Sequence, residues 1–151
     1  MLDATDKKLL NLLQRDASLT HKQIAAELNL TVTPVYERIK KLRSAGIIKG
    51  EHVKIDRKRI NKPLLVFCEV SVKDHKKENL EKFEREVMSL KEVIECYHVS
   101  GNNDYMLKVV ESSMEDYRDF LINKLAKITN VSNVNSAFVM HDLKEDGFIE
   151  L

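Results

Sequence analysis

Residues 31–50, TVTPVYERIKKLRSAGIIKG, carry side chains suited to phosphate groups. Val35, Ile39 and Leu42 recur at the spacing of one helix face. Hydroxyl and ammonium groups on the opposite face can donate hydrogen bonds to phosphate oxygens, and such a helix fits the major groove of DNA. The candidate contact residues are Thr31, Thr33, Tyr36, Lys40, Lys41 and Arg43. A solvated surface helix would show the same pattern, so the decision depends on the neighbouring elements.

A second polar segment, SGNND at residues 100–104, combines groups that suit a small zwitterion. Backbone N–H groups around Gly101 can form a concavity for a carboxylate. The side chain of Asp104 can pair with an ammonium group, and an amino acid carries both charges one carbon apart. Alternatively, Gly101 and Asn102 only permit a hairpin, and Asp104 only caps it through the backbone. The residues alone leave both interpretations open.

The charge of the chain is divided between its two parts. Residues 1–62 hold 14 Lys and Arg against 7 Asp and Glu, a net charge of +7, whereas residues 63–151 hold 11 against 17, a net charge of −6. Such asymmetry indicates that one part meets a polyanion. Glu37, on the polar helix face, departs from this pattern, because a carboxylate can accept from cytosine or repel phosphate. The basic run at 56–63 adds phosphate contacts or is a solvated linker.

Size and composition exclude several classes of protein. The 151 residues suffice for one ordinary or two small domains, and no apolar run approaches the roughly 20 residues of a membrane helix. The first residues, MLDATDKK, do not resemble a signal peptide. Cys68 and Cys96 form no C-x-x-C pair, which favours reduced thiols in a cytoplasmic protein.

Enzymatic chemistry has no support in the residue pattern. The five histidines, at positions 21, 52, 75, 98 and 141, show no metal-ligand spacing, and no nucleophile elbow or phosphate-binding loop is present. We therefore expect no catalytic residue, no metal ion and no cofactor. Fold alone excludes no catalysis, so this expectation comes from the residues.

The elements before residue 50 are three helices. Asp3 and Asp6 mark the start of the first helix, and the S/T-x-x-Q pattern from Thr20 to Gln23 starts the second. Asn29 suits the left-handed turn that ends the second helix. Three further features complete the pattern: a cap at Thr31, Pro34 in the first turn of the third helix, and a helix end at Ala45-Gly46. Alternation over 51–56 predicts a strand, so the plan is a helix-turn-helix with a wing-like extension.

The elements after residue 63 predict a duplicated strand-helix-strand unit. Strands are expected at 64–72, 93–100, 105–110 and 131–140. One helix should bury Leu80, Phe83, Val87 and Leu90; the other, capped by Ser112 and Glu115, should bury Met114, Tyr117, Leu121, Leu125 and Ile128. Both helices should cover one sheet face. The opposite face, with Leu65 and Phe67, then needs a second subunit to cover it, and the strand at 51–56 can pair with its symmetry mate.

In this order, the segments LDATDKKLLNLLQRDASLT, TPVYERIKKLRSAGIIKG and GNNDYMLKV resemble the leucine-responsive/asparagine-regulator (Lrp/AsnC) family of transcription factors. The resemblance covers essentially the whole chain. It implies dimers that assemble into higher oligomers, commonly octamers, and DNA that is bent or wrapped. It also implies an amino-acid effector bound between subunits near the hairpin. The effector-binding candidates are Gly101, Asn102, Asn103 and Asp104 in the loop, with His98 and Ser136, on strands expected to border the loop, as weaker candidates for the pocket wall.

The sequence thus predicts an α+β protein in three parts. A winged-type helix-turn-helix DNA-binding domain spans 1–50, a linker strand and hinge span 51–62, and a ferredoxin-like βαββαβ domain for effector binding and oligomerisation spans 63–151. The predicted function is sequence-specific regulation of transcription in response to a small molecule. The expected partners are double-stranded DNA, other copies of the chain and an amino acid, with no membrane. The alternative is a small-molecule sensor or interaction module that does not bind DNA.

Overall fold

The computed structural model describes residues 1–145 and 147–151, which form two compact units. The first unit comprises residues 1–54 and 144–151, and the second comprises residues 55–143. The domain boundaries expected from the sequence differ from this division at the C-terminal end. Of the described residues at this end, 144, 145 and 147–151 group with the N-terminal helices, whereas the sequence analysis placed them in the second domain.

The first unit contains three helices around one apolar core. They are α1 (Ala4–Arg15), α2 (His21–Leu28) and α3 (Val32–Ser44). The buried residues of this core are Leu9, Leu10, Ile24, Ala25, Val35, Ile39 and Leu42. These positions repeat at helical spacing in each element, so burying them fixes which face of each helix is left to solvent.

The predicted starts of α1 and α2 are confirmed. The Asp3 side chain accepts from the N–H of Asp6, and the Asp6 side chain accepts from the N–H of Asp3. Thr20 and Gln23 form the same reciprocal capping box at α2. Asn29 ends α2 in the left-handed conformation, with φ 53° and ψ 46°. This left-handed residue turns the chain from α2 into α3.

One expectation for the first 62 residues is wrong, and a second, the strand at 51–56, is not met within one chain, so its pairing with a symmetry mate stays a prediction. Thr31 occupies the N-cap position of α3, but its side chain makes no capping hydrogen bond. Residues 51–56 form no strand, and Val53 and Ile55 are exposed. Alternation supplies the side-chain pattern of a strand, whereas the strand itself requires a neighbouring backbone with which to bond.

The second unit is a four-stranded antiparallel sheet with the predicted βαββαβ order. Its strands are β1 (Leu64–Val72), β2 (Val93–His98), β3 (Tyr105–Glu111) and β4 (Val131–Phe138), and their order in the sheet is β2-β3-β1-β4. Helix α4 (Lys77–Met88) follows β1, and α5 (Met114–Asp119) follows β3. This topology confirms the ferredoxin-like α+β fold.

The helices cover one face of the sheet. Cys68 on β1 is buried with Phe83 of α4 and Tyr117 of α5 in one core cluster. The opposite face carries Phe67, which is partly exposed, and Leu65. Leu65 is only 4% exposed, so it needs no second subunit to cover it, contrary to the expectation from the sequence.

The segment after β3 differs from its prediction by one residue. The cap is Ser113, whose hydroxyl accepts from the N–H of Asp116, and not the predicted pair Ser112 and Glu115. After Asp119 the chain continues as a π-helical turn (Phe120–Lys124) and a 3-10 turn (Leu125–Lys127). Tyr117, Phe120, Leu125 and Ile128 are buried, whereas Met114 is 53% exposed and is not part of the buried stripe.

None of the helices in the described residues is long and apolar enough to cross a membrane. Both cysteines are free thiols. Burial raises the pKa of the Cys68 thiol, so this group is held in its neutral form beside Tyr117.

Candidate functional site

The outer face of α3 is the first candidate site. The buried residues Val35, Ile39 and Leu42 fix the inner side of this helix. The six predicted contact residues, Thr31, Thr33, Tyr36, Lys40, Lys41 and Arg43, are all exposed. The structure therefore brings these hydroxyl, phenol and cationic groups onto one helix, beside the exposed Glu37. Such a face can bond to phosphates and reach base edges.

One cation of α3 is turned inward, and the sequence analysis did not identify it. The Arg38 guanidinium donates to Oδ2 of Asp3 and to Oδ1 of Asp6, at 2.6 Å each. The Asp6 side chain is only 4% exposed. The two carboxylates raise the pKa of Arg38, while the N–H of Asp6 and then Arg38 lower the pKa of Asp3. Arg38 thus holds α3 against the start of α1.

Two further contacts affect the outer face of α3. The His21 ring, at the start of α2, packs edge-on against the Tyr36 ring with 5.8 Å between centroids. Arg43 forms an ion pair with Glu51. A helical wheel of α3 could have identified Arg38, because it places this residue at the edge of the buried face. The acids that Arg38 contacts, Asp3 and Asp6, lie at the start of α1. The ring contact crosses between helices, so no local pattern indicated it.

The hairpin between β2 and β3 is the second candidate site. The N–H of Val99 donates to the Asp104 carbonyl at 2.9 Å, which closes the turn. The N–H of Asp104 donates to the Val70 carbonyl at 3.0 Å and joins the turn to β1. Gly101 has φ +148°, a conformation that L side chains rarely adopt, and no atom lies near its missing Cβ. The backbone itself therefore requires glycine there, and the tip around Gly101 and Asn102 is exposed.

Side chains of the hairpin are already bonded to β1 and the residues after it. One Asp104 oxygen accepts from the N–H of Val72 at 2.8 Å, and the other lies 2.6 Å from Nε2 of His75. These two contacts lower the pKa of Asp104. Asn103 accepts from Ser71 and donates to Glu69. Asp104 and Asn103 thus shape the loop, and His75 joins a site at which the sequence analysis did not place it.

The two remaining effector candidates lie in different places. The His98 ring stacks on Tyr105, with 4.6 Å between centroids, directly before the hairpin. Ser136 pairs in register with Cys68, and its hydroxyl lies 2.5 Å from the Tyr117 hydroxyl. Ser136 is therefore bonded on the helix-covered side of the sheet and does not border the hairpin, contrary to the expectation from the sequence. The register of β4 against β1 decides this placement.

Within the described residues, no group of three or more His, Cys, Asp or Glu side chains is arranged to hold a metal ion. The first unit is a helix-turn-helix whose outer helix carries hydroxyl and cationic groups. The second unit is a sheet with an exposed polar hairpin between β2 and β3. These two parts define a DNA-binding regulator with a sensory domain.

Comparison with known proteins agrees with this class. Residues 2–49 match the family model described as winged helix-turn-helix DNA-binding, and residues 65–149 match the Lrp/AsnC ligand binding domain. The chain belongs to the Lrp/AsnC family of transcriptional regulators.

Individual relatives span nearly the whole chain. It is 33% identical over 150 residues to the leucine-responsive regulatory protein of Haemophilus influenzae, covering 99% of this chain and 90% of that protein. The structure of an AsnC family regulator from Agrobacterium tumefaciens is 32% identical, with a TM-score of 0.92 over 98% of this chain and 96% of that one. The Neisseria meningitidis regulator NMB0573, solved as an L-Met complex, is 29% identical, with a TM-score of 0.91 over 96% and 94%.

Proposed function

We propose that the outer face of α3 reads duplex DNA and that an amino acid controls this binding. The observation that most supports DNA binding is the exposed face of α3. Lys40 and Lys41 supply cations there, Thr31 has no intrahelical bond to occupy its hydroxyl, and Tyr36 is 47% exposed. Arg43 already has a carboxylate partner in Glu51, so we rank it behind the two lysines.

Salt-dependent binding to a random duplex tests the DNA contact. Replacing Lys40 with Ala should weaken binding to all sequences and lower the slope of log affinity against log salt by about one unit. Lys127→Ala, at an exposed position in the second unit, is the matched control and should leave the slope unchanged. An unchanged slope for Lys40→Ala would remove that residue from the interface. No retardation of any duplex at low salt would favour a sensor that does not bind DNA.

The hairpin is the proposed effector site. Its exposed tip at Gly101 and Asn102 offers backbone N–H groups for a carboxylate, and His98 lies at its border. The L-Met complex of the Neisseria meningitidis relative supports an amino acid as the ligand class. Because Asp104 is already bonded to Val72 and His75, we assign it the role of holding the loop in shape.

A thermal-shift screen against the twenty amino acids tests this site. A ligand at a hundred times its Kd adds about 2.7 kcal/mol to the free energy of unfolding. Asp104→Ala should lose the ligand-induced shift while it retains DNA binding. Loss of DNA binding as well would show that the hairpin is only structural. No shift with any amino acid for the wild type would contradict this class of effector.

We also propose that the chain acts in the cytoplasm as a dimer or as a higher oligomer such as an octamer. Phe67 and Tyr97 leave apolar surface on the sheet face that the helices do not cover, and Val53 and Ile55 are exposed without a strand partner. Phe67→Asp should dissociate the assembly, because it would bury an unpaired carboxylate. Light scattering that reports a monomer for the wild type at micromolar concentration would refute the proposal.

A further inference from the structure

Gln14 on α1 binds a peptide backbone with both ends of its side-chain amide. Its Nε2 donates to the carbonyl of Ile149 at 2.9 Å, and its Oε1 accepts from the N–H of Ile149 at 3.0 Å. Two bonds to one residue copy the pairing of residues in adjacent strands. They involve only the backbone of Ile149, so this contact fits an extended segment of almost any sequence.

Asn11, one helical turn earlier, extends the same contact. Its Nδ2 reaches the carbonyl of Leu151 at 3.4 Å. Its Oδ1 is buried and has no hydrogen-bond partner among the described residues. A buried acceptor without a hydrogen-bond partner lowers the stability of the fold. The Asn11 Oδ1 atom is therefore a site at which a backbone N–H could donate a stabilising hydrogen bond. Asn11 and Gln14, the amide pair, therefore present donors and acceptors along one line on α1.

The surface beside the amide pair is a mainly apolar groove of about 960 Å³, whose lining also includes Lys49, Glu51 and His52. The groove is lined by apolar residues of the helical part of the first unit, Leu2, Leu10, Leu13, Ile47 and Ile48. Phe148 and Leu151, from residues 147–151, also line it. The guanidinium of Arg15 lies 5.6 Å from the centre of the Phe148 ring. Backbone bonds at the rim and apolar side chains in the groove are the features of extended-peptide recognition.

We infer that α1 carries a peptide-docking groove and that residues 147–151 of the same chain, the C-terminal segment, are its occupant. In the structure Phe148 and Leu151 line the groove together with Leu10 and Leu13 of α1. The remaining volume and the unpartnered Oδ1 of Asn11 leave the contact incomplete. The segment therefore exchanges between seated and released states more readily than the helices unfold.

Amide hydrogen exchange tests whether the segment is seated. The N–H of Ile149 should exchange slowly in the wild type, and Gln14→Ala should speed its exchange roughly ten- to thirtyfold, as the loss of two hydrogen bonds implies. Lys8→Ala, an exposed change on the same helix, is the matched control and should have no effect. Amides at Leu9 and Leu10 should keep their protection in both variants. Equal acceleration there would mean general unfolding and would overturn the inference, as would an unprotected Ile149 amide in the wild type.

A labelled peptide tests the groove itself. Ile149→Pro removes the N–H that Gln14 accepts, so the segment should be released. A GFIEL peptide, with the sequence of residues 147–151, should then bind this variant at least tenfold more tightly than it binds the wild type, where the groove is occupied. Adding Gln14→Ala to Ile149→Pro should abolish that gain in affinity. Equal peptide binding to the wild type and both variants would refute the proposal that the groove binds this peptide. If the exchange protection of the Ile149 amide rises with protein concentration, the segment binds the groove of a second copy. That result would overturn binding within the same chain.

Discussion

Arg38→Met tests how the recognition helix is held. The change removes both 2.6 Å bonds to Asp3 and Asp6 and leaves the Asp6 carboxylate buried with no cation. Removing one partner of a fully buried pair costs about 3–5 kcal/mol. Arg38 is 31% exposed, so water replaces part of the lost interaction and we expect a loss of about 2–3 kcal/mol. For a unit of this size, that lowers the melting temperature by about 10–20 °C.

The assay is a double-mutant cycle of Arg38→Met with Asp6→Asn. The measured quantity is the free energy of unfolding of the first unit. If the two residues act through each other, the double variant should lose about 1–2 kcal/mol less than the sum of the single variants. Lys40→Met, an exposed change on the same helix, should stay within about 0.5 kcal/mol of the wild type. Simple additivity in the cycle would refute the anchoring role.

DNA binding separates anchoring from direct contact. Arg38→Met should lower the preference for an operator over random duplex, because α3 loses the bonds that set its rotation. Its salt slope should not change, since Arg38 is bonded to carboxylates and makes no phosphate contact. A slope lower by about one unit would show that Arg38 binds phosphate and would contradict the geometry.

Three further outcomes follow from single contacts. Tyr36→Ala should reduce sequence preference without a change in salt slope, measured by competition between operator and random duplex. Phe83→Ala should lower the free energy of unfolding of the second unit by about 3–5 kcal/mol in calorimetry, because Phe83 is fully buried against Tyr105. The pKa of Asp104 lies below its ordinary value of 3.8, so its stabilising effect is complete above that pH and disappears as the pH falls through the lower, folded-state value. The Val72 amide should therefore lose its exchange protection in acid, and Asp104→Asn should remove this pH dependence.

The features that could be predicted from the sequence are those whose partners lie close along the chain. The capping boxes at Asp3 and Thr20 join residues three positions apart, and the left-handed Asn29 is a property of one residue. The outer face of α3 follows from the spacing of its buried residues. For the same reason, the order of strands and helices along the second unit could be inferred from alternation, helical spacing and turn residues.

The features that could not be predicted depend on distant partners. Gln14 and Ile149 are 135 positions apart, and no periodicity in either segment indicates their contact. The placement of Ser136 depends on the register of β4, which the local pattern does not specify. The strand expected at 51–56 lacks a partner backbone in the single chain. The π turn after Asp119 departs from the regular helical period on which the prediction relied.

The most direct test of the account is one titration of DNA with and without effector. The amino acid that gives the largest thermal shift is added at a hundred times its Kd, and the affinity for an operator fragment is measured at fixed salt. We expect the amino acid to change DNA affinity, and DNA to change the affinity for the amino acid by the same factor. Identical DNA affinity with and without a bound amino acid, in a protein that binds both, would contradict the claim that the second unit controls the first.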